Sequence, residues 1–80
     1  MEVHTFKGQG RVFGFTQERS GASLPSEYGP WMPFKVLELV RGQPQLGVDV
    51  DECLDDILAY GFHLTDAHVR ITPQAIPGTA

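Results

Sequence analysis

The stretch from Asp49 to Gly61 constrains this chain more than any other, because it spells out a start, a face and a stop for one α-helix. Asp49 carries a carboxylate that can accept hydrogen bonds from the free backbone N–H groups of a first helical turn. Asp51 and Glu52 follow, where the helix dipole favours negative charge. Val50, Cys53, Leu54, Ile57 and Leu58 recur at i, i+3, i+4, i+7 and i+8, a single apolar stripe on a 3.6-residue period. Gly61 after Tyr60 supplies the left-handed residue that ends such a helix. Phe62 beside it is placed to pack back on the last turn. A helix with one apolar stripe must lay it against another layer, and the rest of the chain reads as strands.

Val3 to Lys7 and Arg11 to Thr16 read as two short strands around Gly8-Gln9-Gly10, a glycine-bearing hairpin signal. Alternation in the second strand puts Arg11, Phe13 and Phe15 on one face, with Val12, Gly14 and Thr16 on the other. Gly14 within that strand marks a bulge or a close backbone approach. Residues 17 to 33 form a long connection rich in Ser, Gly and Pro. Leu24, Tyr28, Trp31 and Met32 make it a packed loop folded back on the body rather than a solvated linker. Phe34 to Val40 gives the strongest strand pattern. Gly42-Gln43-Pro44 turns the chain, and Gln45 to Val48 returns as a short edge strand. His68 to Thr72 is expected as the last strand, ended by Pro73, with Gln74 to Ala80 as a frayed tail. The resulting expectation is one α+β domain over residues 1–73. It holds a mainly antiparallel sheet of three to four strands with one amphipathic helix packed on a face.

Eighty residues allow one domain with a limited core, since so short a chain buries only about 60% of its unfolded surface. The hydrophobic fraction of 41% suits a folded domain and is too high for a disordered one. A deep private cleft has little room here, which favours a binding module over an autonomous enzyme. The single cysteine, Cys53, has no partner within the chain, and the first residues lack the basic and apolar regions of a signal peptide. Both point to a cytoplasmic protein, and no apolar run approaches a membrane span. The net charge of −4 is concentrated in Asp49, Asp51, Glu52, Asp55 and Asp56. That balance argues against a general affinity for nucleic acid or anionic membranes, while leaving room for a local basic patch.

The acidic helix is the most conspicuous chemical feature. Asp51 and Asp55, like Glu52 and Asp56, sit four residues apart on a shared helix side, where carboxylates can hold a cation or dock a basic partner. The plainer reading is a solvated face with acids at its favoured end. Tyr28 and Trp31, in Tyr28-Gly29-Pro30-Trp31-Met32-Pro33, form the preferred interaction site, because large aromatics anchor interfaces. Their plainer role is to plug the open side of a small sheet. His63, Asp66 and His68 lie close in sequence, but their spacing matches no zinc pattern, and Cys53 points into the core. No metal, cofactor or catalytic residue is assigned, and no nucleophile–base pair is visible.

Three local resemblances can be weighed. Asp49-Val50-Asp51-Glu52-Cys53 is similar to the start of calcium-binding EGF modules, which need six cysteines where this chain has one. Gly8-Gln9-Gly10-Arg11-Val12-Phe13-Gly14 imitates a phosphate loop, but leads into a strand and not into a helix. Arg11-Val12-Phe13-Gly14-Phe15 resembles the first RNA-binding motif of cold-shock domains. That resemblance implies bases stacking on Phe13 and Phe15 beside Arg11; the second motif of that family is missing, and both rings read more simply as core. Across its length the chain resembles short bacterial proteins of unassigned activity. The matching features are Phe15-Thr16, Ser20-Gly21-Ala22, Leu24-Pro25, Tyr28-Gly29-Pro30-Trp31, an acidic helix and His63-Leu64-Thr65-Asp66-Ala67-His68. It implies no catalytic residue.

The functional expectation is therefore a non-enzymatic interaction or regulatory module that binds a protein partner or a second copy of itself. Tyr28, Trp31, Asp51, Asp55 and Asp56 would make the contact. The alternatives are a single-stranded nucleic-acid binder using Arg11, Phe13 and Phe15, and a small metal-binding protein.

Overall fold

The computed structural model describes residues 1–45 and 47–72. The elements run β1 (Glu2–Lys7), β2 (Val12–Thr16), β3 (Met32–Glu38), α1 (Val50–Tyr60), β4 (His63–Asp66) and β5 (Val69–Arg70). The fold is α+β, a five-stranded antiparallel sheet in the order β3-β1-β2-β4-β5 with α1 packed against it.

α1 forms as its sequence dictates. The Asp49 carboxylate accepts from the Glu52 N–H at 3.1 Å, and Gly61 closes the helix at φ 87° with its N–H on the Ile57 carbonyl. Val50, Cys53, Leu54 and Ile57 are buried, but Leu58, expected in the same stripe, is 71% exposed. The inward place is taken by Asp56, which is buried.

Cross-strand partners share a face, which sorts the sheet into two sides. Val3 with Leu37, Thr5 with Phe15, and Phe15 with His63 face α1. There Val3, Phe15 and Leu39 join Val50, Cys53, Leu54 and Ile57 in one apolar cluster. Phe6 opposite Gly14, and Gly14 opposite Leu64, face the other way. On that side Phe6, Leu24, Phe62 and Leu64 form a second cluster, covered by Tyr28 and Trp31 from the long connection. The expected packed loop is thus a third layer. Its span includes a 3-10 turn at Ser26–Tyr28 and a cis Gly29–Pro30 peptide. Phe62 belongs to this second cluster.

Gly14 marks a close approach, since a Cβ there would lie 2.7 Å from Leu24 Cδ2. The bulge falls elsewhere, in the β1–β3 pairing between Thr5 and Phe6. The Thr16 and Ser23 hydroxyls both donate to the Gly61 carbonyl, at 3.0 and 3.2 Å, tying the loop layer to the end of the helix.

Three strand expectations are corrected. β3 covers Met32–Glu38 rather than Phe34–Val40. Gln45 and Val48 make one isolated bridge rather than a strand. The single last strand over His68–Thr72 is instead a hairpin, β4 and β5 joined by Ala67 and His68 at φ 52° and 70°. Those angles fit the two-residue turn that follows the twist of a hairpin, which favours Asn-Gly and which Ala-His disguises. The expected tail Gln74–Ala80, and Pro73 before it, lie outside the described residues. Among the described residues, no helix is long and apolar enough to cross a membrane.

Candidate functional site

The acidic side chains are largely occupied within the molecule. Asp51 accepts the Gly42 N–H at 3.0 Å, and Asp55 pairs with Arg41 at 2.7 Å on the exposed side of α1. Asp56 is not a surface acid, which corrects its place in the expected contact set. It is 5% exposed and accepts from Arg70 Nε and Nη2, at 2.8 and 2.7 Å, while its second partner, His63 Nδ1, lies at 2.8 Å. Burial by itself would raise this carboxyl. The Arg70 and His63 hydrogen bonds and the charge beside them outweigh burial and hold it below its ordinary 3.8. Asp56 faces inward because His63, on the α1 face of β4, and Arg70, at the pairing position opposite Thr65, meet it there. Arg70 in turn is pushed up by the same carboxylate.

Trp31 and Tyr28 cover the second cluster. The Trp31 ring lies against Gly8 and Gly14, and its indole N–H donates to the Pro25 carbonyl at 2.9 Å. Gln9 ties the same loop down through its hydrogen bond to the Gly29 carbonyl. His63, Asp66 and His68 do not converge: His63 is buried on Asp56, while Asp66 and His68 are exposed. Among the described residues, no three His, Cys, Asp or Glu side chains come together in a way that could hold a metal ion. The Cys53 thiol is buried, and desolvation, reinforced by the Asp56, Asp49 and Glu52 charges, pushes it up to about 12.

Two other features are open. The first is the edge strand β3, where Met32, Phe34 and Val36 are 67%, 56% and 57% exposed, followed by Val40 at 44%. The second is a cavity of about 260 Å³ on the α1 face, beside the helix start, where Phe13, Phe15, Phe34, Leu37, Val48 and Thr65 meet. Phe13 and Phe34 stand with ring centroids 5.5 Å apart and planes at 58°. Lys35 sits over the Phe34 ring at 5.4 Å. A shallower depression lined by Lys7, Arg11, Phe13 and His68 continues from it. The Arg11, Phe13 and Phe15 of the nucleic-acid alternative therefore divide by depth: Phe15 is buried floor, Phe13 is half-buried wall, and Arg11 is exposed at the rim.

No protein-family model, no curated protein and no solved structure matches the chain.

The sequence does not single out Phe34, Lys35, Thr65 or Arg70 as site residues, and it offers Asp56 and His63 only separately, as a surface contact and a candidate metal ligand. For Phe34 the signal was the apolar run of the strongest strand, which indicates burial in a sheet centre and not exposure at an edge. For Asp56 and Arg70, fourteen residues apart, no local pattern links them.

Proposed function

We propose that the protein is a non-enzymatic interaction module that associates with a second copy of itself by antiparallel pairing of β3. The observation that supports this reading is the seven-residue edge strand whose Met32, Phe34 and Val36 stand open to solvent. An apolar edge with unpaired backbone groups is a template for another strand. Protected edges are short, charged or covered. The opposite edge of this sheet, β5, is two residues long and guarded in that way. In β3, Pro33 removes one donor and the bulge disturbs the first half, which leaves Val36 nearest the middle of the regular stretch. A two-fold axis at Val36 would place Val36 against its own copy and Phe34 opposite Glu38. A second copy is favoured because an antiparallel edge meets itself without a new complementary surface. The clustered acids of α1, with Asp55 held by Arg41, belong to another element.

Light scattering of the full chain over a wide concentration range tests this. The expected result is a dimer that Val36→Lys converts to a folded monomer, while Leu58→Lys, at the exposed helix position, leaves it a dimer. A wild-type monomer at high micromolar concentration, or a dimer lost through Leu58→Lys and kept through Val36→Lys, overturns it.

A further inference from the structure

We infer that the cavity between β2, β3 and the start of α1 takes an unpaired nucleobase together with its phosphate. Four features converge on that chemistry. The first is a pair of aromatic rings in the cavity wall: Phe13 and Phe34 pack as a tilted pair, centroids 5.5 Å apart at 58°, and present aromatic surface on which a planar group can stack. Phe34 is 56% exposed, so its ring is accessible to a ligand.

The second feature is Thr65. It is 8% exposed and lines the cavity. Its hydroxyl has a donor and an acceptor to give to the polar rim of a base. The third is charge. Lys7, Arg11 and Lys35 border the cavity and its continuation, and none takes part in an ion pair among the described residues. Among the described residues no carboxylate lines either depression, although the chain as a whole carries −4.

The fourth is size. At about 260 Å³ the cavity falls just under the range of roughly 300–1,000 Å³ typical of drug-sized ligands, so it suits one ring system. An acyl chain would use the rings but neither the hydroxyl nor the cations. A base with a phosphate uses all three. The shallow depression from Phe13 past Lys7 and Arg11 offers a neighbouring phosphate a place, as a strand would require and a free nucleotide would not.

The test uses the full chain at low salt, with labelled oligothymidylate followed by fluorescence anisotropy and thymidine monophosphate followed by amide shifts in NMR. Saturable binding is expected, with shifts at Phe13 and Thr65. Phe34→Ala should weaken it about ten-fold through loss of one stacked base. Arg11→Glu should weaken it and flatten a log–log salt dependence whose slope, for three cations on a single strand, is about −2. Val36→Lys should bind like wild type, which separates this inference from the pairing of β3. Tighter binding of the oligomer than of the monophosphate identifies a strand as the source, and equal affinity identifies a free nucleotide; both uphold the chemistry. No saturable binding of either probe, or unchanged affinity in Phe34→Ala, overturns it.

Discussion

Replacing Asp56 with asparagine removes one charge from a place where three donors converge. The native carboxylate accepts two bonds from Arg70 and faces a third group, His63 Nδ1, all within 2.7–2.8 Å. The amide retains one acceptor oxygen, so at least two of the three interactions are lost or reversed. A hydrogen bond to a charged group contributes about 1.5–3 kcal/mol. The Arg70 side chain is 29% exposed, so water replaces part of what it loses, and the low end applies. The expected cost is about 3 kcal/mol, the figure also typical of removing one partner of a buried ion pair. Eighty residues at ordinary density carry about 4–12 kcal/mol of stability in total. Asp56→Asn should therefore lower Tm by about 12–24 °C. Thermal unfolding measures the Tm and urea unfolding the free-energy loss, each followed by circular dichroism and by the fluorescence of the single tryptophan Trp31. Asp55→Asn is the control: that side chain is 68% exposed, and its pair with Arg41 is worth at most about 1 kcal/mol. If the two variants fall within about 1 kcal/mol of each other at equal m-value, the buried network is not the stabilising feature described.

Other consequences can be checked with the same protein. The Asp56 carboxyl sits below its ordinary 3.8 when folded, so its contribution is complete above that pH and is lost as pH falls toward the folded value. The stability gap between wild type and Asp56→Asn should therefore close in acid, in unfolding curves below pH 3.8, and a constant gap would contradict the assignment. Ala67 and His68 hold φ of 52° and 70°, so Ala67→Asn with His68→Gly should raise stability by about 1 kcal/mol in the same assay. Gly8→Ala should cost about 2 kcal/mol or more, because its Cβ would lie 2.5 Å from the Tyr28 backbone oxygen and 2.8 Å from Trp31. With its pKa pushed up to about 12, the Cys53 thiol should resist aromatic disulfide reagents in the native state and react only as the chain unfolds.

What could be read in the sequence was whatever short range decides. The α1 cap at Asp49, the stop at Gly61 and the alternation of Phe13 and Phe15 depend on neighbours within one turn or one strand. The fold class followed from them. The hairpin of β4 and β5 was missed because its turn lacks the glycine or asparagine that left-handed angles favour. The exposed state of β3 was missed because an apolar pattern says that a strand pairs, and strand order alone says on how many sides. Asp56 reads locally as a surface acid because its partners come from beyond Gly61, after the helix has ended. The cavity leaves no local pattern for the same reason: Phe13, Phe34 and Thr65 come from three strands spread over some fifty residues.

The order β3-β1-β2-β4-β5 also sets the sequence of events by which the chain can be completed. β1, β2 and β3 are close together in the chain and can pair early. β2 acquires its other neighbour only when Phe15 meets His63, about fifty residues later. A chain emerging from synthesis thus carries a three-stranded sheet open on both edges until α1 and β4 arrive. The closing of the β2 edge and the burial of Asp56 are then a single late event, since His63 performs the first and receives the second. Loss of the segment after Gly61 would leave both the strand and the acid without partners.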